Sequence, residues 1–258
     1  MFFHRKEMMY PVRIDEPNPA FGQLLLEQFG GATGELTAAL TYWTQSFHVE
    51  NAGIRDMLQD IAIEEFSHLE MVAKMIDLHT RAADQSGAYR SSLFAIRGRG
   101  PHLIDSLGQA WTAAYVNEGG NVVRDLRSDI AAEAGARQTY EALIKVAPDK
   151  GSIDALTFLL TREISHTQMF MSALDGMGKL TDPMFGTVKP DETVDLYFNL
   201  SNDNDHELRG PWNQEPKFRY VANPQPQGNL IEDIANPDDE HSPGARTLKT
   251  RTTRHMAS

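Results

Sequence analysis

A short pattern occurs twice in this chain, as Glu65-Phe66-Ser67-His68 and as Glu163-Ile164-Ser165-His166. On an α-helix, positions i and i+3 project from one face, so each copy aims a carboxylate and an imidazole at a common point. Thirty residues before each copy lies another glutamate, Glu35 and Glu133. A tyrosine follows each lone glutamate by seven (Tyr42, Tyr140), and a methionine follows each histidine by three (Met71, Met169). The two halves therefore repeat one design. Burying an unpaired carboxylate costs on the order of several kcal/mol, so four glutamates converge in a helical core chiefly when cations neutralise them.

Apolar periodicity places these residues on four long helices. The first is expected from Asn18-Pro19, a capping residue and a helix-starting proline, to about Phe47. Gly30, Gly31 and Gly34 each cost about 1 kcal/mol against alanine inside it, which close backbone approach would offset; the alternative is a broken helix. The second helix spans residues 53–83. A weakly patterned crossover follows over 84–118, then a third helix over 120–147 and a fourth after Gly151-Ser152 that ends near Gly176 and Gly178. Two hairpins joined by one long crossover give an all-α, ferritin-like four-helix bundle over residues 1–178. Before it, Tyr10-Pro11-Val12-Arg13-Ile14 alternates like a short edge strand.

Residues 179–258 hold eight of the thirteen prolines and no sustained helical period, so they are expected to form an extended, irregular C-terminal arm. Its aromatics, Tyr197, Phe198, Trp212, Phe218 and Tyr220, call for burial against the bundle or a neighbouring subunit. Beyond Asn229 the polar sequence is expected to be disordered.

A formal charge of −12 argues against nucleic acid or an anionic membrane surface as partner. The absence of cysteine excludes disulfides, thiolate chemistry and iron–sulfur clusters. The charged N-terminus and the lack of a long apolar run predict no membrane span and a cytoplasmic protein.

Carboxylates can bridge two cations and balance their charge, while neutral imidazole completes each shell without adding negative charge. Glu64 and Glu70, off the motif's face, are expected on solvated surfaces. The histidines outside the motif lack partners at metal spacing and read as surface or core residues.

The runs Glu16-Pro17-Asn18-Pro19, Glu27-Gln28-Phe29-Gly30-Gly31, Asp60 through Met71, Asp129-Ile130-Ala131-Ala132-Glu133 and Arg162 through His166, with Gly210-Pro211-Trp212-Asn213 in the arm, resemble the manganese catalases. The resemblance implies a non-haem enzyme with two manganese ions per subunit that disproportionates hydrogen peroxide. It implies that Glu35, Glu65 and His68 hold one ion, and Glu133 and His166 the other, with Glu65 bridging. Glu163 would stand beside the ions as the acid/base group, although the repeat alone would make it a sixth ligand. Tyr42 resembles the family's hydrogen-bonding tyrosine, and Ala132 occupies a place where some members carry arginine. The resemblance further implies a homohexamer and a calcium site from Asp56, Asp60, Asn199 and Ser201. Two other classes remain open: a ferritin-like iron-oxidising store, and a structural coat-type protein with a residual metal site. Oxygen release from peroxide separates the first reading from both.

Overall fold

The computed structural model describes residues 3–81, 87–201, 208–222 and 224. The chain divides into two compact units between Gly186 and Thr187. The first is a four-helix bundle of ferritin-like topology with an additional N-terminal helix. Its elements are α1 (Pro19–Gly30), α2 (Glu35–Ser46), α3 (Ala52–Thr80), the short α4 (Gly87–Arg90) and α5 (Phe94–Arg97), α6 (Val122–Val146) and α7 (Lys150–Gly176).

The expected first helix is in fact two. Asn18 caps α1 by accepting from the Phe21 amide at 3.1 Å, and Pro19 opens it. After Gly30 the chain turns through Gly31 to Gly34, and α2 begins at Glu35. The glycines are required by crowding, since a Cβ on Gly30 would lie 2.5 Å from the Ile104 carbonyl oxygen and one on Gly34 would lie 2.7 Å from that of Gln28. The close approach anticipated for these glycines is present, and the helix breaks as well.

α2 packs on α3 and α6 on α7 as hairpins, joined by the connections at 47–51 and 147–149, with α2–α6 and α3–α7 contacts closing the bundle. Asn51 caps α3, Asn121 caps α6 and Asp149 caps α7. The fourth helix thus begins before Gly151-Ser152, because the Asp149 carboxylate takes the Ser152 amide at 2.9 Å. The crossover carries α4, α5 and a 3₁₀ turn at Ala113–Tyr115. Residues 10–14 are not a strand: among the described residues nothing pairs with them, and Val12 is simply buried in the core.

The core is layered. One apolar cluster contains Leu25, Met71, Met75, Leu143, Leu156 and Leu159; a second contains Leu58, Ile61, Val123, Leu126, Phe170 and Leu174. Along α3 the second cluster lies before Glu65 and the first after His68, and along α7 the order is reversed. The repeated motifs therefore occupy a polar layer sandwiched between two apolar ones.

In the second unit the arm is less irregular than expected, since β1 (Leu196–Phe198) pairs in parallel with β2 (Arg219–Val221), placing Tyr197 opposite Tyr220. Trp212, expected to be buried, is 66% exposed. The expected disorder beyond Asn229 falls outside the described residues.

Candidate metal centre

The polar layer is assembled from four helices. α2 delivers Glu35 from its first turn, α3 delivers Glu65 and His68, α6 delivers Glu133, and α7 delivers Glu163 and His166. None of the six is more than 2% exposed. Their ligand atoms form two overlapping groups, Glu35–Glu65–His68–Glu163 and Glu65–Glu133–Glu163–His166, each with all atoms within 4.8 Å of one another. Glu65 is common to both groups, and so is Glu163.

Both imidazoles turn the same atom inward. His68 Nδ1 lies 3.0 Å from Glu65, 3.5 Å from Glu163 and 3.6 Å from Glu35. His166 Nδ1 lies 2.7 Å from Glu65 and 3.7 Å from Glu133. The rings stack with centroids 5.6 Å apart and planes 20° from parallel.

The donor set fits a pair of divalent cations. Three buried carboxylate oxygens of the layer, Glu65 Oε1, Glu133 Oε2 and Glu163 Oε1, make no hydrogen bond among the described residues, a costly arrangement that a cation would relieve. Oxygen and imidazole donors without thiolate suit manganese or iron. Charges within the bare chain compensate in part. Burial, reinforced by Glu65, pushes the Glu35 carboxyl up to about 8. Burial likewise raises Glu163, with Glu65, Glu35 and Glu133 adding to it. Glu65 is held low, because His68 and His166 outweigh the cost of its burial. Both histidines are raised despite burial, His68 chiefly by Glu65, and His166 to about 11 by Glu133, Glu64 and Glu65.

Two tyrosines complete the layer. Tyr42 on α2 donates to Glu133 Oε1 at 2.6 Å, and Tyr140 on α6 donates to Glu35 Oε1. Tyr140 was marked by the repeat but not assigned a part. Beside the centre, a cavity of about 280 Å³ is lined by Thr37, Thr41, Tyr42, Ala132, Glu133 and Glu163, among others. Among the described residues that line it, Ala132 included, there is no lysine or arginine.

Glu64 corrects the sequence reading. Its side chain is 17% exposed and faces the outer nitrogens of both rings, with Oε1 3.5 Å from His68 Nε2 and Oε2 3.3 Å from His166 Nε2. Arg162 on α7 donates to it from Nε at 2.5 Å. Those partners hold the Glu64 carboxyl well below the usual range although burial opposes them. Glu70 is partly exposed and pairs with His4 at 3.2 Å, as a solvated glutamate should.

The proposed calcium ligands are not gathered in one place by the bundle alone. Asp56 and Asp60 are exposed on α3, whereas Asn199 and Ser201 belong to the second unit. Arg55, next to Asp56 in sequence, donates from Nη2 to the Val49 carbonyl at 2.6 Å.

Among the described residues no helix is long and apolar enough to cross a membrane. The family profile described as manganese containing catalase matches residues 1–257. A Clostridium acetobutylicum protein named "Probable manganese catalase" is 37% identical over 84% of this chain and 98% of its own length. Protein CotJC of Bacillus subtilis is 37% identical over 68% of this chain and 94% of its own. The crystal structure of KatB, a manganese catalase from Anabaena, superposes with a TM-score of 0.83 at 71% identity, covering 87% of this chain and all of that one. With its carboxylate–imidazole layer, the chain belongs to the manganese containing catalase family.

Proposed function

We propose that this protein converts two molecules of hydrogen peroxide into two of water and one of dioxygen at a centre of two manganese ions. The observation that carries the reading is the pair of overlapping buried ligand groups sharing Glu65 and Glu163. Glu35, Glu65 and His68 would hold one ion, Glu133 and His166 the other, and Glu65 would bridge. The metal pair would supply two electrons' worth of redox capacity, so that one peroxide is oxidised and the next reduced.

The chain's own residues handle protons and position. Glu163 accepts a proton from peroxide and returns it to the departing oxygen. Its support is a buried carboxyl with an unbonded Oε1, whose hold on a proton is strengthened by burial and by the neighbouring glutamates. Tyr42 holds Glu133 in place through its hydroxyl. The apolar clusters above and below the layer keep bulk water from the reacting oxygens.

The decisive variant is Glu163→Gln. It should retain two manganese ions per chain while oxygen evolution falls by about 100-fold or more. Loss of an ion would make Glu163 a ligand instead, and unchanged turnover would remove it from the reaction.

The proposal extends to a hexamer in the cytoplasm, to be checked by light scattering and fractionation. It also extends to calcium as a further cation held by oxygen donors, Asp60 on α3 among them. Calorimetric titration of Asp60→Asn with calcium, against the unmodified chain, tests that site.

A further inference from the structure

Both imidazoles of the centre face the same carboxylate with their outer nitrogens. His68 Nε2 and His166 Nε2 are buried and make no hydrogen bond, and the group that approaches each is Glu64, at 3.5 and 3.3 Å. These contacts are longer than a normal N–H···O bond, so a small rotation of either ring or carboxylate closes them. The oxygens are divided between the rings: Oε1 faces His68 and Oε2 faces His166. Arg162 binds the same carboxylate from the far side, with Nε on Oε1 at 2.5 Å and Nη2 on Oε2 at 3.4 Å. Glu64 therefore meets N–H donors at both oxygens and from both sides.

We propose that Glu64 is a positioning residue shared by both halves of the centre, fixing each imidazole with its proton on Nε2 and its lone pair on Nδ1 toward the ions. The inference rests on the manganese reading, since inward Nδ1 lone pairs matter only when metal is bound. A histidine ligand whose outer N–H meets a carboxylate is locked in tautomer and orientation, and loss of that partner typically weakens metal binding about 10–100-fold. Here one side chain serves two ligands, one oxygen to each ring, so a substitution that alters a single oxygen should disturb one ion more than the other.

The carboxylate's symmetry makes the test specific. In Glu64→Gln one oxygen becomes an amide N–H₂, which must point at an imidazole N–H and at an Arg162 N–H. Donor then faces donor, and one ring must turn or change tautomer. Glu64→Ala leaves space in which water can accept from both rings. Arg162→Met keeps the carboxylate and removes only its outer partner.

Manganese affinity is measured by calorimetric titration of metal-free chains, with circular dichroism to verify folding. Glu64→Gln is expected to bind manganese about 10–100-fold more weakly than the unmodified chain, with one ion lost preferentially. Glu64→Ala should be weakened less than Glu64→Gln, and Arg162→Met by less than about threefold. A merely structural ion pair predicts a different order, with Arg162→Met as damaging as either Glu64 variant. That order, or unaltered affinity in Glu64→Gln and Glu64→Ala, would overturn the assignment. An unmodified chain that takes up no manganese would instead overturn the metal reading beneath it.

Discussion

Tyr42 on α2 places its hydroxyl 2.6 Å from Glu133 on α6, and the glutamate seven residues before Tyr42 receives the matching contact from α6 through Tyr140. Each half of the bundle thus holds the other half's lone glutamate. Both tyrosines are fully buried, one in each apolar cluster.

A buried hydrogen bond to a charged acceptor contributes about 1.5–3 kcal/mol. Tyr42→Phe should therefore loosen Glu133 and lower manganese retention by roughly 10–100-fold in equilibrium terms. Tyr140→Phe should act similarly on the Glu35 side. Dialysis against a chelator, followed by metal analysis, measures both; equal retention in all three proteins would show that the hydroxyls do not hold the ligands.

Manganese uptake should release protons. In the bare chain His166 is raised to about 11, His68 is raised as well, and Glu35 is pushed up to about 8, so all three carry a proton at pH 7. Coordination requires the deprotonated forms. More than one proton per chain should appear in solution on metal binding at pH 7, and affinity should fall as the pH is lowered. Titration calorimetry in buffers of different ionisation enthalpy counts the protons directly, and a count of zero would refute the charge assignment.

His79 sets a different pH dependence, that of folding. It is buried on α3, accepts the Asn18 amide at Nδ1 (3.2 Å), and meets the Ser152 hydroxyl at Nε2 (2.9 Å). Ser152 in turn donates to Asp149, the cap of α7. Burial lowers His79 to about 4, against the opposing pull of Asp149, from 6.5 in the unfolded chain. The unfolded chain therefore takes the proton first as the pH falls. The neutral ring's contribution is fully present above about 6.5 and lost on the way down to about 4, on the order of 3 kcal/mol in all. Urea unfolding of His79→Gln across that range should show a shallower slope with pH than the unmodified chain.

Gly30→Ala should destabilise the bundle by about 1–3 kcal/mol, because the new methyl would overlap the Ile104 backbone and force α1 from the crossover. A lower urea midpoint with an unchanged slope is expected. An unchanged midpoint would mean that the crossover yields freely at this point.

The i, i+3 spacing was enough to mark Glu65, His68, Glu163 and His166, because it survives any bundle geometry, and the thirty-residue repeat added Glu35 and Glu133. Glu64 was missed for the same reason. Viewed along α3 it is a neighbour of Glu65 pointing about 100° away, and only the α3–α7 contact brings Arg162 and His166 to it. The start of α7 was misread because Gly151-Ser152 resembles a turn, whereas the capping carboxylate sits just before it. The β1–β2 pair joins segments about twenty residues apart with a short parallel register, which no local pattern announces. The edge strand at residues 10–14 failed for the converse reason, since alternation without a pairing partner does not make a strand.

The turn at Gly31 to Gly34 makes the duplicated design lopsided. Glu35 stands at the very start of its helix, where unpaired amides give the positive end of the peptide dipoles, whereas Glu133 lies in mid-helix with no such help. The two seats of the centre are consequently unequal electrically even though their side chains match. A pair of chemically identical occupants would therefore be distinguishable by position alone.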